Sequence, residues 1–151
     1  MPPCSIVTTA TGTSPTSPAE AGLRGIRSTT QAAWADFDND GDLALMSGGQ
    51  LWRNKGAAGN WLKVKLRGGG DIRINRAAIG AQVRIKLGAK TLSRQVASST
   101  GRGNMNDMTL HFGLGGYSEN VELEISWPYI KGKQTVTTKV NTMLSIAMDV
   151  P

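Results

Sequence analysis

With 151 residues and a net charge of +6, the chain is long enough for one domain of ordinary size and a core that needs no disulfide framework. A single cysteine, Cys4, and a single histidine, His111, exclude an intrachain disulfide and a Cys/His zinc cluster, and they leave little material for acid–base catalysis. The longest aliphatic run, residues 43–46, is far too short to cross a bilayer, so no membrane span is expected.

Residues 1–30 are rich in Thr, Ser, Pro, Ala and Gly without apolar periodicity, the composition of a mobile leader. The first 21 residues lack the positive start and apolar core of a signal peptide. The expectation is therefore either a piece of a longer protein or a protein that stays in the cell. From Gln31 the texture changes. A short apolar stretch at 32–35 runs into D-F-D-N-D-G-D-L at 36–43. Residues 43–47 and 50–53 read as two strands joined by Gly48-Gly49, a hairpin signal because both glycines accept positive φ. Asn54-Lys55-Gly56 and the small residues after it mark a boundary near 58.

Beyond that boundary alternation dominates. Leu62, Val64 and Leu66 point one way, with Lys63, Lys65 and Arg67 opposite. Val83, Ile85 and Leu87 alternate with Arg84 and Lys86, and Met108, Leu110 and Phe112 with Thr109 and His111. Val121, Leu123, Ile125 and Trp127 alternate with Glu122, Glu124 and Ser126. Weaker strands fall at 90–98, 133–140 and 143–148. Seven strands of period two, each with one wet face, predict an all-β domain, an antiparallel sandwich or barrel. Leu110, Phe112, Ile125 and Trp127 are expected to face its core.

The Asp-rich loop carries the clearest chemistry. Asp36, Asp38 and Asp40 stand at positions 1, 3 and 5, Gly41 is sixth, and Asp42 offers its backbone carbonyl at position 7. Alternate carboxylates converge on one hard cation, and the glycine permits the sharp turn around it. Position 12 is Ser47 where an EF-hand needs Glu, and the flanks are strand-like where it needs helices. A calcium-type loop on a β scaffold is the reading. The alternative is a plain acidic turn, which Asp-Asn-Asp-Gly favours by itself, but mutual repulsion of four carboxylates favours a cation.

Charge supplies a rival function. Residues 52–102 hold twelve basic side chains against one acid, Asp71, with acidic stretches on either side. Lys63, Lys65, Arg67, Arg84 and Lys86 are expected to form one positive sheet surface for an anionic polymer, held by charge and sensitive to salt. Polysaccharide suits it better than nucleic acid, because Trp61 is the lone aromatic there for base stacking. Ser98-Ser99-Thr100 has no evident base partner. Gly68-Gly69-Gly70 and Gly101-Arg102-Gly103 precede no helix that would cradle a phosphate. No enzyme is expected.

A-A-W-A-D-F-D-N-D-G-D-L at 32–43, followed by L-W-R-N at 51–54, resembles an FG-GAP/VCBS repeat, the calcium-bearing blade of integrin-α-like propellers. From Asn60 onward the chain resembles the ASPIC/UnbV domain of cartilage acidic protein-like chains. N-W-L-K-V-K-L at 60–66, N-R-A-A-I-G-A-Q-V at 75–83, L-H-F-G-L-G at 110–115 and I-S-W-P at 125–128 carry that resemblance. After the leader at 1–30, it implies a partial FG-GAP/VCBS repeat at 31–58 and an ASPIC/UnbV-like domain at 59–151. It also implies a non-catalytic binding or adhesion module, extracellular or at the cell surface, with a protein or glycan partner. Such loops usually carry a ninth-position Asp, here Ala44, so calcium affinity is expected to be low. A truncated blade leaves hairpin edges and Trp34, Phe37, Leu43, Leu45 and Trp52 uncovered, which predicts a homo-oligomer through residues 34–53.

Overall fold

The structure is a computed structural model and describes residues 4–6, 22–23, 29–54, 56, 59–70, 74–101 and 103–149. Among these residues there are eleven strands and no helix. The chain forms two compact units, Met1–Ala58 with Ser99–Asp107, and Gly59–Ser98 with Met108–Pro151.

The second unit holds seven strands: β5 (Asn60–Arg67), β6 (Gln82–Leu87), β7 (Lys90–Gln95), β8 (Leu110–Gly115), β9 (Val121–Ser126), β10 (Gln134–Thr138) and β11 (Thr142–Ala147). They make a four-stranded sheet in the order β10-β9-β6-β7 and a three-stranded sheet in the order β11-β5-β8. Period-two alternation directs one face of each sheet inward. Leu62, Val64, Leu66, Phe112 and Ile146 come from the smaller sheet, and Val83, Ile85, Val121, Leu123 and Ile125 from the larger. All belong to one buried cluster, and each contributes about 1.5–3 kcal/mol by leaving water. Leu110, Phe112, Ile125 and Trp127 lie inward as the alternation predicts, at 6%, 0%, 0% and 3% exposure. Trp127 keeps its indole N–H satisfied by donating to Gln134 Oε1 at 2.9 Å. The architecture is an open sandwich, and the pairing departs from a purely antiparallel one: β11 runs parallel to β5.

The first unit is a four-stranded sheet, in the order β1-β4-β3-β2, built from β1 (Cys4–Ile6), β2 (Ala32–Ala35), β3 (Ala44–Ser47) and β4 (Gln50–Asn54). The hairpin turn between β3 and β4 uses Gly48 and Gly49 at φ of 53° and 74°, a backbone that other residues resist. Leu45 sits opposite Trp52 in the register, and the two form a small core at 5% and 0% exposure. Most of the leader predicted at 1–30 lies outside the described residues. Its described part includes β1, which pairs in parallel with β4.

The hairpin edges are not bare, contrary to the expectation for a truncated blade. β2 pairs with β3 along one side and β1 with β4 along the other. The outer edge of β2 is in turn dressed by the Ser99–Asp107 segment of the same unit. Trp34 N–H donates to Asn106 Oδ1 at 3.0 Å, Asp107 N–H donates to Trp34 O at 3.2 Å, and Asn104 Nδ2 donates to Ala32 O. Two side-chain amides and one backbone N–H thus stand in for a further strand and satisfy the groups that invite edge pairing.

Candidate functional site

The Asp-rich segment leaves β2 and turns through Asn39 and Gly41, both at positive φ (59° and 91°). Asp36 begins the turn and is 5% exposed, with its Oδ2 accepting the Gly41 N–H at 3.1 Å. Asp40 Oδ1 accepts the Asp42 N–H at 3.0 Å. This winding brings one carboxylate oxygen each from Asp36, Asp38 and Asp40 within 4.8 Å of one another. Three hard oxygen donors at that spacing fit a divalent cation. Asp42 is not in that carboxylate group. It remains half-buried beside Gly56, where an added Cβ would stand 3.6 Å from its Oδ2. Ala44, where the ninth ligand would stand, is buried at 4% exposure.

A side chain that the spacing argument overlooked completes the loop. Arg53 on β4 places Nη2 2.7 Å from Asp38 Oδ2 and 3.3 Å from Asp40 Oδ2. Part of the carboxylate repulsion is thereby relieved internally. The signal was present in the sequence, since L-W-R-N ends the adjacent strand, but only the β3–β4 register aims the guanidinium back at the loop.

The predicted anionic-ligand surface does not form as one face. Lys63, Lys65 and Arg67 lie on β5 of the three-stranded sheet, whereas Arg84 and Lys86 lie on β6 of the four-stranded sheet. With the alternate residues of both strands sharing one core, these two outward faces point away from each other. Lys63 also departs from a wet face and is 3% exposed. It sits in the central strand between His111 on β8 and Met143 on β11, its partners in register, and flanking side chains cover its stem.

Pairing also cancels charge on the larger sheet. Arg84 lies opposite Glu124 in the register, and a shallow basin there is lined by Arg84, Lys86, Glu122, Glu124 and Lys133. Lys133 Nζ lies 2.5 Å from Glu124 Oε2, and that hydrogen bond, then its charge, holds the Glu124 carboxyl below the usual range. The acidic stretch after residue 118 is therefore folded directly onto basic β6. Ser99 and Thr100 serve the turn of the Ser99–Asp107 segment: Ser99 Oγ donates to Gly101 O at 2.8 Å, and Thr100 N–H donates to Asn104 O at 3.0 Å.

Comparison with known families finds the pattern described as ASPIC and UnbV over residues 70–149. No curated protein and no solved structure gives a match.

Proposed function

The chain belongs to the ASPIC and UnbV family, and on that footing we propose a non-catalytic binding module whose loop of Asp36, Asp38 and Asp40 takes calcium weakly. The observation that carries the reading is the convergence of the three carboxylates within 4.8 Å. The donors are all hard oxygens, which favours calcium over a thiolate- or imidazole-seeking transition metal. Low affinity follows from the apolar Ala44 at the ninth position and from Arg53, whose single charge already offsets part of that on Asp38 and Asp40. Sites of this strength fill where calcium is millimolar, as it is outside cells, which agrees with an extracellular or cell-surface module derived from an FG-GAP/VCBS-like repeat. A protein or glycan is the class of partner that fits such a module.

The test is thermal. Millimolar calcium should raise the melting temperature, because a ligand selective for the folded state stabilises it by mass action. Asp38→Ala should remove that rise. A wild-type chain with the same melting temperature in calcium and in chelator would end the calcium reading.

A further inference from the structure

At the end of β5 the second unit has a concavity of ≈ 460 Å³, lined by Lys65, Leu66, Arg67, Arg76, Ala77, Met108 and Ser145. Two of its cations come from β5 itself, where Lys65 and Arg67 alternate with the core residue Leu66. Ser145 stands opposite Lys65 in the parallel register with β11, and β11 (T-M-L-S-I-A) brings no carboxylate. The larger sheet offsets its basic residues with Glu122 and Glu124. Here, among the described residues, no acidic side chain lines the hollow.

The third cation is delivered by a glycine-dependent loop. Gly68 N–H donates to Arg76 O at 3.2 Å, and Gly70 N–H donates to Ile74 O at 2.9 Å, so residues 74–76 fold back along 68–70. Gly68 has to lack a side chain, because a Cβ there would collide with Asn75 O and with Ile74 Cγ2. Gly70, at φ 79°, leaves the space that the Arg76 side chain crosses: its Cγ and Nε pass 2.8 and 3.0 Å from where a Cβ would stand. Arg76 is thus laid against the loop by the fold, beside Arg67.

We propose that this hollow binds a tetrahedral oxyanion carried on a saccharide, a sugar sulfate or sugar phosphate ester. Two guanidinium forks and an ammonium match the oxygens of such a group, with the Ser145 hydroxyl as a neutral donor. The bound anion relieves the mutual repulsion of Lys65, Arg67 and Arg76. The volume is on the order of fifteen waters, well beyond one oxyanion, and the half-buried Ala77 and Met108 offer an apolar wall to the C–H face of a sugar ring. No aromatic side chain lines it among the described residues, so base stacking has no platform and nucleic acid is the poorer fit. This site is independent of the calcium loop.

The experiment is a titration of the ¹⁵N-labelled full chain, followed by amide shifts, in chelator and in calcium. The probes are N-acetylglucosamine 6-sulfate, glucose 6-phosphate, N-acetylglucosamine and inorganic sulfate. Either ester should move the amides of Arg67, Gly68, Arg76 and Ser145, and the arm that binds more tightly identifies sulfate or phosphate as the headgroup. Arg76→Gln and Arg67→Gln, with spectra otherwise overlaying the parent, should each weaken binding by about tenfold or more. Arg84→Gln, on the other sheet, should leave it unchanged. The proposal falls if neither ester binds, if Arg84→Gln weakens binding as much as Arg76→Gln, or if the uncharged sugar or inorganic sulfate binds as well as the esters. Binding in chelator equal to that in calcium keeps this proposal apart from the fate of the calcium reading.

Discussion

Arg53 bridges Asp38 and Asp40 while its side chain is 54% exposed, so the ion pair stabilises the loop only modestly, by about 0.2–1 kcal/mol as exposed pairs do. That same energy must be given up when a cation takes the two carboxylates. Arg53→Gln should therefore tighten calcium binding by roughly two- to fivefold, read by calorimetric titration; unchanged or weaker affinity would show that Arg53 does not compete. A second residue-scale prediction concerns acid. Lys133 depresses the Glu124 pKa, so this carboxylate contributes stability above the ordinary Glu range and loses it as pH falls through the lowered folded value. Lys133→Gln should move the Glu124 titration upward, with Lys86 and Arg84 still favouring the carboxylate, and weaken that acid-side contribution, which carbon-detected NMR of the carboxyl would follow. An unmoved titration would mean that Lys133 is not the cause. The convergence of Asp36, Asp38 and Asp40 was legible at this scale because the three lie close together in sequence and their 1-3-5 spacing brings their carboxylates within 4.8 Å. Arg53 and Arg76 were not legible, since a strand register aims one and a glycine loop sets the other.

For the strands, alternation read from the sequence located all seven in the second unit: β5, β6, β8 and β9 each bury alternate residues, while β7, β10 and β11 are more exposed and carry the weaker signal. It also identified inward residues such as Phe112 and Val64. Alternation states which face a side chain takes and is silent on which strand lies alongside. That is why Lys65 and Lys86 looked like one surface and belong to two sheets, and why the parallel β5–β11 pair came as a departure. It could not anticipate that Asn104 and Asn106, some seventy residues from β2, would cap its edge, since a loop amide carries no periodic signal. The core itself is testable. Phe112 on β8 is fully buried between the sheets, and Phe112→Ala should cost about 3–5 kcal/mol in a urea titration of the folded chain. A loss below about 1 kcal/mol, the scale of a surface change, would mean that the two sheets do not close over this ring.

The whole chain crosses between its two units three times, at 58/59, 98/99 and 107/108. The second unit nevertheless keeps its core to itself: every member of the large buried cluster comes from Gly59–Ser98 or Met108–Pro151. A chain beginning at Gly59 should therefore retain the sandwich, with protected amides in β5, β6 and β9. Its Ser99–Asp107 segment would lose the β2 groups that it bonds, Ala32 O and both backbone groups of Trp34. Hydrogen exchange should then be slow at Asp107 in the intact chain and fast in the shortened one. Equal rates in both would show that the segment is ordered by something other than β2. The same pair of chains addresses self-association. With β1, β2 and the Ser99–Asp107 segment along the hairpin, unpaired backbone no longer argues for an oligomer, and the remaining driving force is side-chain surface. Met46 and Leu51 face each other across β3 and β4, each 48% exposed, on the side of the sheet opposite Leu45 and Trp52. We propose that twofold association through residues 34–53 uses this apolar pair. In sedimentation well above micromolar concentration, the intact chain should run as a dimer, and the chain from Gly59 and a Met46→Lys, Leu51→Lys variant as monomers. An intact chain that stays monomeric at those concentrations would mean that this face is as ordinary as any other scattered surface methionine and leucine.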